Sequence, residues 1–293
     1  MTPFVMALIF FSTFMHAGWN LLSRYYQSEV TFYKRMLLIT FVVGFIPAVW
    51  SEIVTRSLTP TAWACVFGAG VAAAFYLFGL ARAYRMTDFT IVYPVARSLP
   101  VIFLAVIDVL RGRYLTTFGW LGVLLVAAGC VLVPLKSFRD IQWKHYFNRA
   151  SIWILVTAAG MVVYTLLDKI AAEVVAQGPA TAARYGYFYF VFTIPPYFGL
   201  MKLYNQPFRE QSGIKEWALV LIGSVFGFGA YWLVLWAYQL SPYASYIVAF
   251  RQFSIVIGAV LAFIIYKEHG IKVRMTGALT ITLGLVLIGV WGR

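Results

Sequence analysis

The sequence predicts an all-α membrane protein with ten transmembrane helices, arranged as two inverted five-helix repeats. Three observations carry this expectation. Of the 293 residues, 62% are hydrophobic and only 11% are charged, whereas a soluble domain carries roughly 45–50% apolar and about 25% charged residues. A core of this size cannot absorb the surplus apolar surface, so the surplus must face lipid. The apolar residues also fall into ten stretches, each near the roughly 20 residues a helix needs to cross the hydrocarbon layer. Finally, parts of the first five stretches align with parts of the second five.

The ten stretches run approximately over 3–23, 30–51, 60–83, 88–110, 116–135, 150–171, 180–204, 214–239, 243–265 and 271–291. Breakers or charges separate them, among them Gln27 to Glu29, Thr59 and Pro60, Arg111 to Arg113, Gly178 and Pro179, and Ser241 and Pro242. Only Lys136 to Arg149 reads as a long interhelix loop. The expected organisation is therefore a first repeat over 1–138, a connecting loop over 139–149 and a second repeat over 150–293. The first stretch lacks the basic n-region and small-residue cleavage site of a signal peptide, and reads as the first membrane helix.

The repeat rests on three matches in the same order. His16 to Arg24 (His-Ala-Gly-Trp-Asn-Leu-Leu-Ser-Arg) aligns without gaps on Met161 to Lys169 (Met-Val-Val-Tyr-Thr-Leu-Leu-Asp-Lys). Ala83, Tyr84 and Arg97 recur at the same spacing as Ala237, Tyr238 and Arg251, and Gly122 and Gly129 match Gly277 and Gly284. Five helices per half is an odd number, so the second half lies upside down relative to the first, as in many carriers.

The formal charge is +13, yet the cations sit in short runs between apolar stretches rather than in a patch. Nucleic acid is therefore not an expected partner; the lipid bilayer is. The connections after the odd-numbered helices hold about 15 Lys and Arg, against about 5 for the others and both termini, which puts the 136–149 loop in the cytoplasm. Cys65 and Cys130 each lie inside an apolar stretch, so neither a disulfide nor a metal site is expected. No Walker motif and no cofactor signature appears.

The candidate site comes from polar residues inside the membrane. Arg97 and Arg251 lie near the middle of the fourth and ninth stretches, where a cation costs roughly 2.5–3.5 kcal/mol. Each is about ten residues, or roughly 15 Å, from its nearer helix end, too far to snorkel easily. Two guanidinium groups facing one cavity would make a forked anion site. The plainer reading pairs them with acids, with Asp88, Asp108 and Asp168 as candidates.

His16, Trp19, Asn20 and Ser23 share one face of the first helix, and Tyr164, Thr165 and Asp168, beside Lys169, form the matching stripe on the sixth. Asp168 with Lys169 reads more readily as an interface pair than as a proton relay. Tyr76, Tyr231 and Trp232 lie too deep for an interfacial belt and, with Tyr93, are candidates to line a pocket. The substrate-binding set expected from sequence is thus Arg97, Arg251, His16, Trp19, Asn20, Tyr76, Tyr93, Tyr164, Asp168 and Trp232; no catalytic residue is expected. The fifth and tenth helices carry no internal charge and read as scaffold or homodimer contacts.

This pattern resembles the drug/metabolite transporter superfamily, specifically its ten-helix EamA-type members, over essentially the whole chain. The opening His16-Ala-Gly-Trp19-Asn20 is similar to phosphonate-utilisation-associated membrane proteins. The superfamily resemblance implies a central cavity between helices 1, 3, 4, 6, 8 and 9 and alternating access. The expected function is a secondary active transporter, exporter or exchanger, in the bacterial inner membrane. Its expected substrate is a small polar anion or zwitterion such as an amino acid, organic acid or aminophosphonate. The alternatives are an exporter of cationic or aromatic compounds using an aromatic cage, a channel, or an intramembrane enzyme. No H-E-x-x-H or G-x-S-x-G motif supports the last.

Overall fold

The computed structural model describes residues 1–26, 28–86, 89–133, 135, 137, 149–208, 213–257 and 271–292, without the side chains at 24–25, 84, 89–95, 149–150 and 271. The expected connecting loop over 139–149, apart from the Arg149 backbone, lies outside the described residues. So do Asp88 and the end of the ninth expected helix.

Among the described residues there are ten helices and no strand. They are α1 (Pro3–Tyr25), α2 (Glu29–Thr55), α3 (Pro60–Met86), α4 (Phe89–Leu110), α5 (Thr117–Leu132), α6 (Arg149–Glu173), α7 (Pro179–Leu203), α8 (Ile214–Leu240), α9 (Ala244–Arg251) and α10 (Ile271–Trp291). Six of them, α1, α2, α3, α6, α8 and α10, are long and apolar enough to cross a membrane, and α5 is a shorter apolar helix. The chain is an integral, multi-pass membrane protein.

Local chemistry sets the helix starts. The Thr2 and Ser28 hydroxyls accept from the backbone N–H of Val5 and Thr31 at the starts of α1 and α2. Thr116 does the same for α5 through Gly119 N, at 3.0 Å. Each satisfies a donor that the first helical turn leaves without an intrahelical partner. Glu216 Oε2 accepts from Gly213 N at the start of α8. Arg56 ends α2 in the left-handed region, φ 46°, with its N–H on Glu52 O.

One element departs from expectation. The stretch 243–265 reads as a continuous helix, but α9 breaks at Arg251 and Gln252 before helical backbone resumes at 253–257. There Gln252 N bonds Ala249 O at 3.0 Å and Ile255 N bonds Gln252 O at 2.8 Å, the tighter three-residue spacing. Arg251 O thereby loses the partner that a regular helix would give it, and Ser254 Oγ takes that place at 2.9 Å. Irregular backbone at membrane depth is tolerated where protein or a cavity surrounds it, and a cavity lies at this point.

Packing is closest between α3 and α6, α5 and α10, and α1 and α8. The α5–α10 contact depends on glycine. A Cβ at Gly122 would meet Gly284 O at 2.7 Å, and one at Gly284 would meet Gly122 O at 2.6 Å. Small residues of this kind let helix backbones approach in lipid, where hydrophobic burial supplies little drive between helices. The outward faces carry exposed apolar side chains, such as Val42, Ile46, Leu124, Ile152 and Leu279, as a lipid-facing surface requires.

The helix ends are tied by polar contacts. At the end that holds the α4–α5 and α8–α9 turns, Glu173 pairs with Arg111 (2.7 Å), Arg113 (2.5 Å) and Lys169 (3.2 Å). Thr116 Oγ1 donates to Trp291 O there. At the opposite end, Lys34 donates to Phe208 O and Arg85 to Gln206. Both Cys65 and Cys130 are buried free thiols.

Candidate functional site

Seven helices contribute side chains to one internal cavity of about 50 Å³. His16 and Trp19 come from α1, Met36 from α2, Tyr76 and Leu77 from α3, and Tyr164 from α6. Tyr189 and Phe190 come from α7, Gly227, Ala230 and Tyr231 from α8, and Arg251 from α9. The helix interruption explains the last of these, since Arg251 is the final residue before the backbone turns. Gly227 lets Met36 pack closely against the α8 wall: a Cβ there would sit 3.1 Å from Met36 Sδ.

The cavity lining holds two kinds of group. One is a set of donors. Arg251 is only 6% exposed and His16 5%, yet Nε and Nη1 of Arg251 and Nε2 of His16 form no hydrogen bond. The Tyr238 hydroxyl lies beside the guanidinium without a hydrogen bond of normal geometry to either nitrogen. Among the described residues no carboxylate lies within ion-pair distance of Arg251. Burying such donors without acceptors costs roughly 1–3 kcal/mol each.

The other is a cluster of rings, of which Tyr164 and Tyr76 lie within electrostatic reach of Arg251. Tyr189 and Tyr231 lie 4.2 Å apart between centroids, and Tyr164 meets Tyr76, Tyr189 and Tyr231 edge-on at 5.5, 5.9 and 6.4 Å. Behind these rings sits Asp168, 1% exposed. It accepts a hydrogen bond from the Tyr185 hydroxyl at 3.0 Å and a short one from Tyr231. A ring cluster backed by a carboxylate is suited to a cationic group.

Of the ten residues expected from sequence, His16, Trp19, Tyr76, Tyr164 and Arg251 line this cavity. Arg97 stands behind it. It is buried on α4 and donates to Ser254 Oγ at 3.1 Å, and its charge bears on both His16 and Arg251. Asp168 reaches the cavity through Tyr231. Asn20 turns along its own helix, donating to His16 O at 2.8 Å. Trp232 points away, its indole donating to Pro179 O at 2.7 Å, because α8 presents Tyr231 rather than its neighbour to the cavity. The Tyr93 side chain lies outside the described residues.

Two pairings are corrected. Asp168 and Lys169 do not pair: they are adjacent in sequence, about 100° apart around the helix, and each finds other partners. Lys169 Nζ donates to Tyr238 O (2.8 Å) and Ser241 O (2.6 Å), at the C-terminal end of α8. Asp108 does not hold Arg97 or Arg251 either. It accepts from Ala244 N, Ser245 N and Ser245 Oγ at the start of α9. Sequence reading left Met36, Tyr189, Phe190, Gly227, Ala230 and Ser254 out of the site. Tyr185 and Tyr189 stand at i, i+4 with Thr193 beyond, and that polar face of α7 was the available signal.

Residues 148–290 match the EamA-like transporter family, which places the protein in the drug/metabolite transporter superfamily. It is a membrane transporter of that type. No curated protein matches the chain. A solved structure described only as "Crystal structure of protein" superposes with a TM-score of 0.70 at 17% identity, covering 100% of this chain and 99% of the other. At that identity the likeness shows the fold alone.

Proposed function

We propose that the protein is a secondary carrier of a small zwitterionic or anionic metabolite, such as an amino acid, organic acid or aminophosphonate, in a bacterial inner membrane. The observation that carries this reading is a donor surplus in the cavity: Nε and Nη1 of the buried Arg251 guanidinium and Nε2 of the buried His16 imidazole lack acceptors among the described residues, and both residues line the cavity. An oxyanion supplies those acceptors, and the tyrosine cluster with Asp168 suits an ammonium group on the same solute. The cavity has room for a few water-sized groups, enough for the polar end of a metabolite.

Two inverted repeats are the framework for alternating access. Helix pairing supports them. If α1 corresponds to α6 and α3 to α8, the α3–α6 and α1–α8 contacts are one pair seen twice, and α5–α10 is a self-equivalent contact through matching glycines. The charge distribution supports a cytoplasmic 136–149 connection.

The test is a thermal-shift screen of the purified protein against glycine, acetate, methylphosphonate, aminomethylphosphonate and tetramethylammonium, repeated with Arg251→Ala. Ligands that bind the native state raise its melting point by mass action. Stabilisation by the anions and zwitterions that disappears in the variant supports the reading. Stabilisation by tetramethylammonium alone, unchanged in the variant, would transfer the site to the cationic alternative.

A further inference from the structure

Resting on the anion reading above, we infer that His16 is a fixed neutral hydrogen-bond donor to the solute's oxyanion, and that Trp19 is the positioning residue that sets its tautomer. The indole Nε1–H of Trp19 donates to His16 Nδ1 at 3.1 Å, with the two rings edge-to-face at 5.0 Å. An indole nitrogen only donates, so Nδ1 presents its lone pair. The proton of the neutral imidazole is then on Nε2, because the nitrogen that accepts cannot also carry it.

Nε2 is buried without a partner, and His16 lines the cavity with Arg251. Three N–H donors therefore need an acceptor there, from Nε2 of His16 and from Nε and Nη1 of Arg251. A ligand that only donates leaves all three bare, whereas a carboxylate or phosphonate offers several lone pairs to the same set. Trp19 is itself held from outside, its ring edge-to-face with Tyr33 at 5.9 Å. The solute contact thus continues through His16 and Trp19 to the α2 face.

The division of labour is specific. Arg251 supplies the charge and two of the donors. His16 supplies the third donor without adding a second charge, which keeps binding weak enough for release. It also makes the histidine a specificity residue rather than a carrier of protons.

The experiment uses full-length protein with 15N-labelled histidine, in which three histidines give three sets of ring signals. The His16 set is assigned by its loss in His16→Asn. The expected result is a neutral Nε2–H tautomer in wild type and a mixture of tautomers in Trp19→Phe. In parallel, acetate and methylphosphonate are titrated by thermal shift. His16→Phe is expected to bind the stabilising anion about tenfold or more weakly, the loss of one hydrogen bond to a charged group, and Trp19→Phe more weakly only in proportion to the Nε2–H fraction it loses. The acetate and methylphosphonate arms separate a carboxylate site from a phosphonate site. An Nδ1–H tautomer or an imidazolium in wild type overturns the inference, and this needs no variant to fold. If neither anion stabilises wild type, the anion reading falls and the inference falls with it. If wild type responds and His16→Phe responds equally, the reading stands and the His16 contact is overturned.

Discussion

Arg97 and Arg251 are joined through one hydroxyl. Arg97 Nη2 donates to Ser254 Oγ at 3.1 Å, and Ser254 Oγ donates to the Arg251 carbonyl at 2.9 Å. That carbonyl is the one left open by the break in α9, so the contact both holds the break and fixes where Arg251 enters the cavity. The two arginines stand at the same spacing after an Ala-Tyr pair, Ala83-Tyr84 and Ala237-Tyr238, but do different things. One contacts the cavity, and the other supports the backbone that presents it.

This predicts that Ser254→Ala lowers stability by about 1–3 kcal/mol, because two buried groups lose a partner at once. Ser254→Thr keeps the hydroxyl and is expected to stay near wild type. Thermal unfolding in detergent measures both. An Ala variant with an unchanged melting point would mean that the hydroxyl does not hold the break.

Asp108 caps a helix that it does not belong to. The N-cap residue of α9, Tyr243, makes no side-chain cap, and the Asp108 carboxylate of α4 accepts from Ala244 N at 3.3 Å, Ser245 N at 2.8 Å and Ser245 Oγ at 2.6 Å. A negative group at a helix N-terminus meets both the open N–H donors and the helix dipole. Asp108→Ala is expected to cost about 1–2 kcal/mol, and Asp108→Asn less, since the amide oxygen still accepts. The same unfolding series checks it: equal losses for Asn and Ala would remove the capping account.

The membrane class and the helix positions were legible because lipid imposes a one-dimensional rule: each crossing must be long, apolar and internally bonded. Half of the candidate site was legible for the same reason, since polar residues such as His16 and Arg251 are expensive in lipid and stand out. The remainder depends on which neighbour each side chain meets. Nothing in the sequence near Trp232 says that its indole turns to Pro179 O while Tyr231 faces the cavity. Ser254 is invisible as a site residue because its role arises only after the helix breaks. Asp108 looked like a counter-ion because sequence position gives depth but not rotation.

Glu52 and Arg184 form a second polar joint, between α2 and α7. Their closest approach is 3.4 Å, with both side chains about nine-tenths buried. Glu52 also accepts from Ser57 Oγ and Leu58 N, and Arg184 donates to Ser57, Ser51 and Thr181. Removing one partner of a buried pair costs roughly 3–5 kcal/mol because the other charge is left behind. Arg184→Met and Glu52→Gln are each expected to destabilise, and the double variant to lose less than the sum. A double-mutant cycle with no coupling would show that the two charges do not support one another.

Asp168 poses the sharpest choice between structure and site. Its carboxylate accepts from Tyr185 and Tyr231, and Tyr231 lines the cavity. Tyr185→Phe removes one donor from a buried carboxylate and is expected to cost about 1–3 kcal/mol. Adding Asp168→Asn to that variant is expected to recover part of the loss, because a neutral amide suffers less from a missing donor. Both follow from thermal unfolding. The role towards the solute is separate and needs a comparison of probes. If the tyrosine cluster holds an ammonium group, Asp168→Asn weakens binding of aminomethylphosphonate while leaving methylphosphonate near wild type, since only the former carries a cation. Equal losses for both probes would make Asp168 a scaffold residue, and the cavity would then recognise its solute through Arg251 and His16 alone.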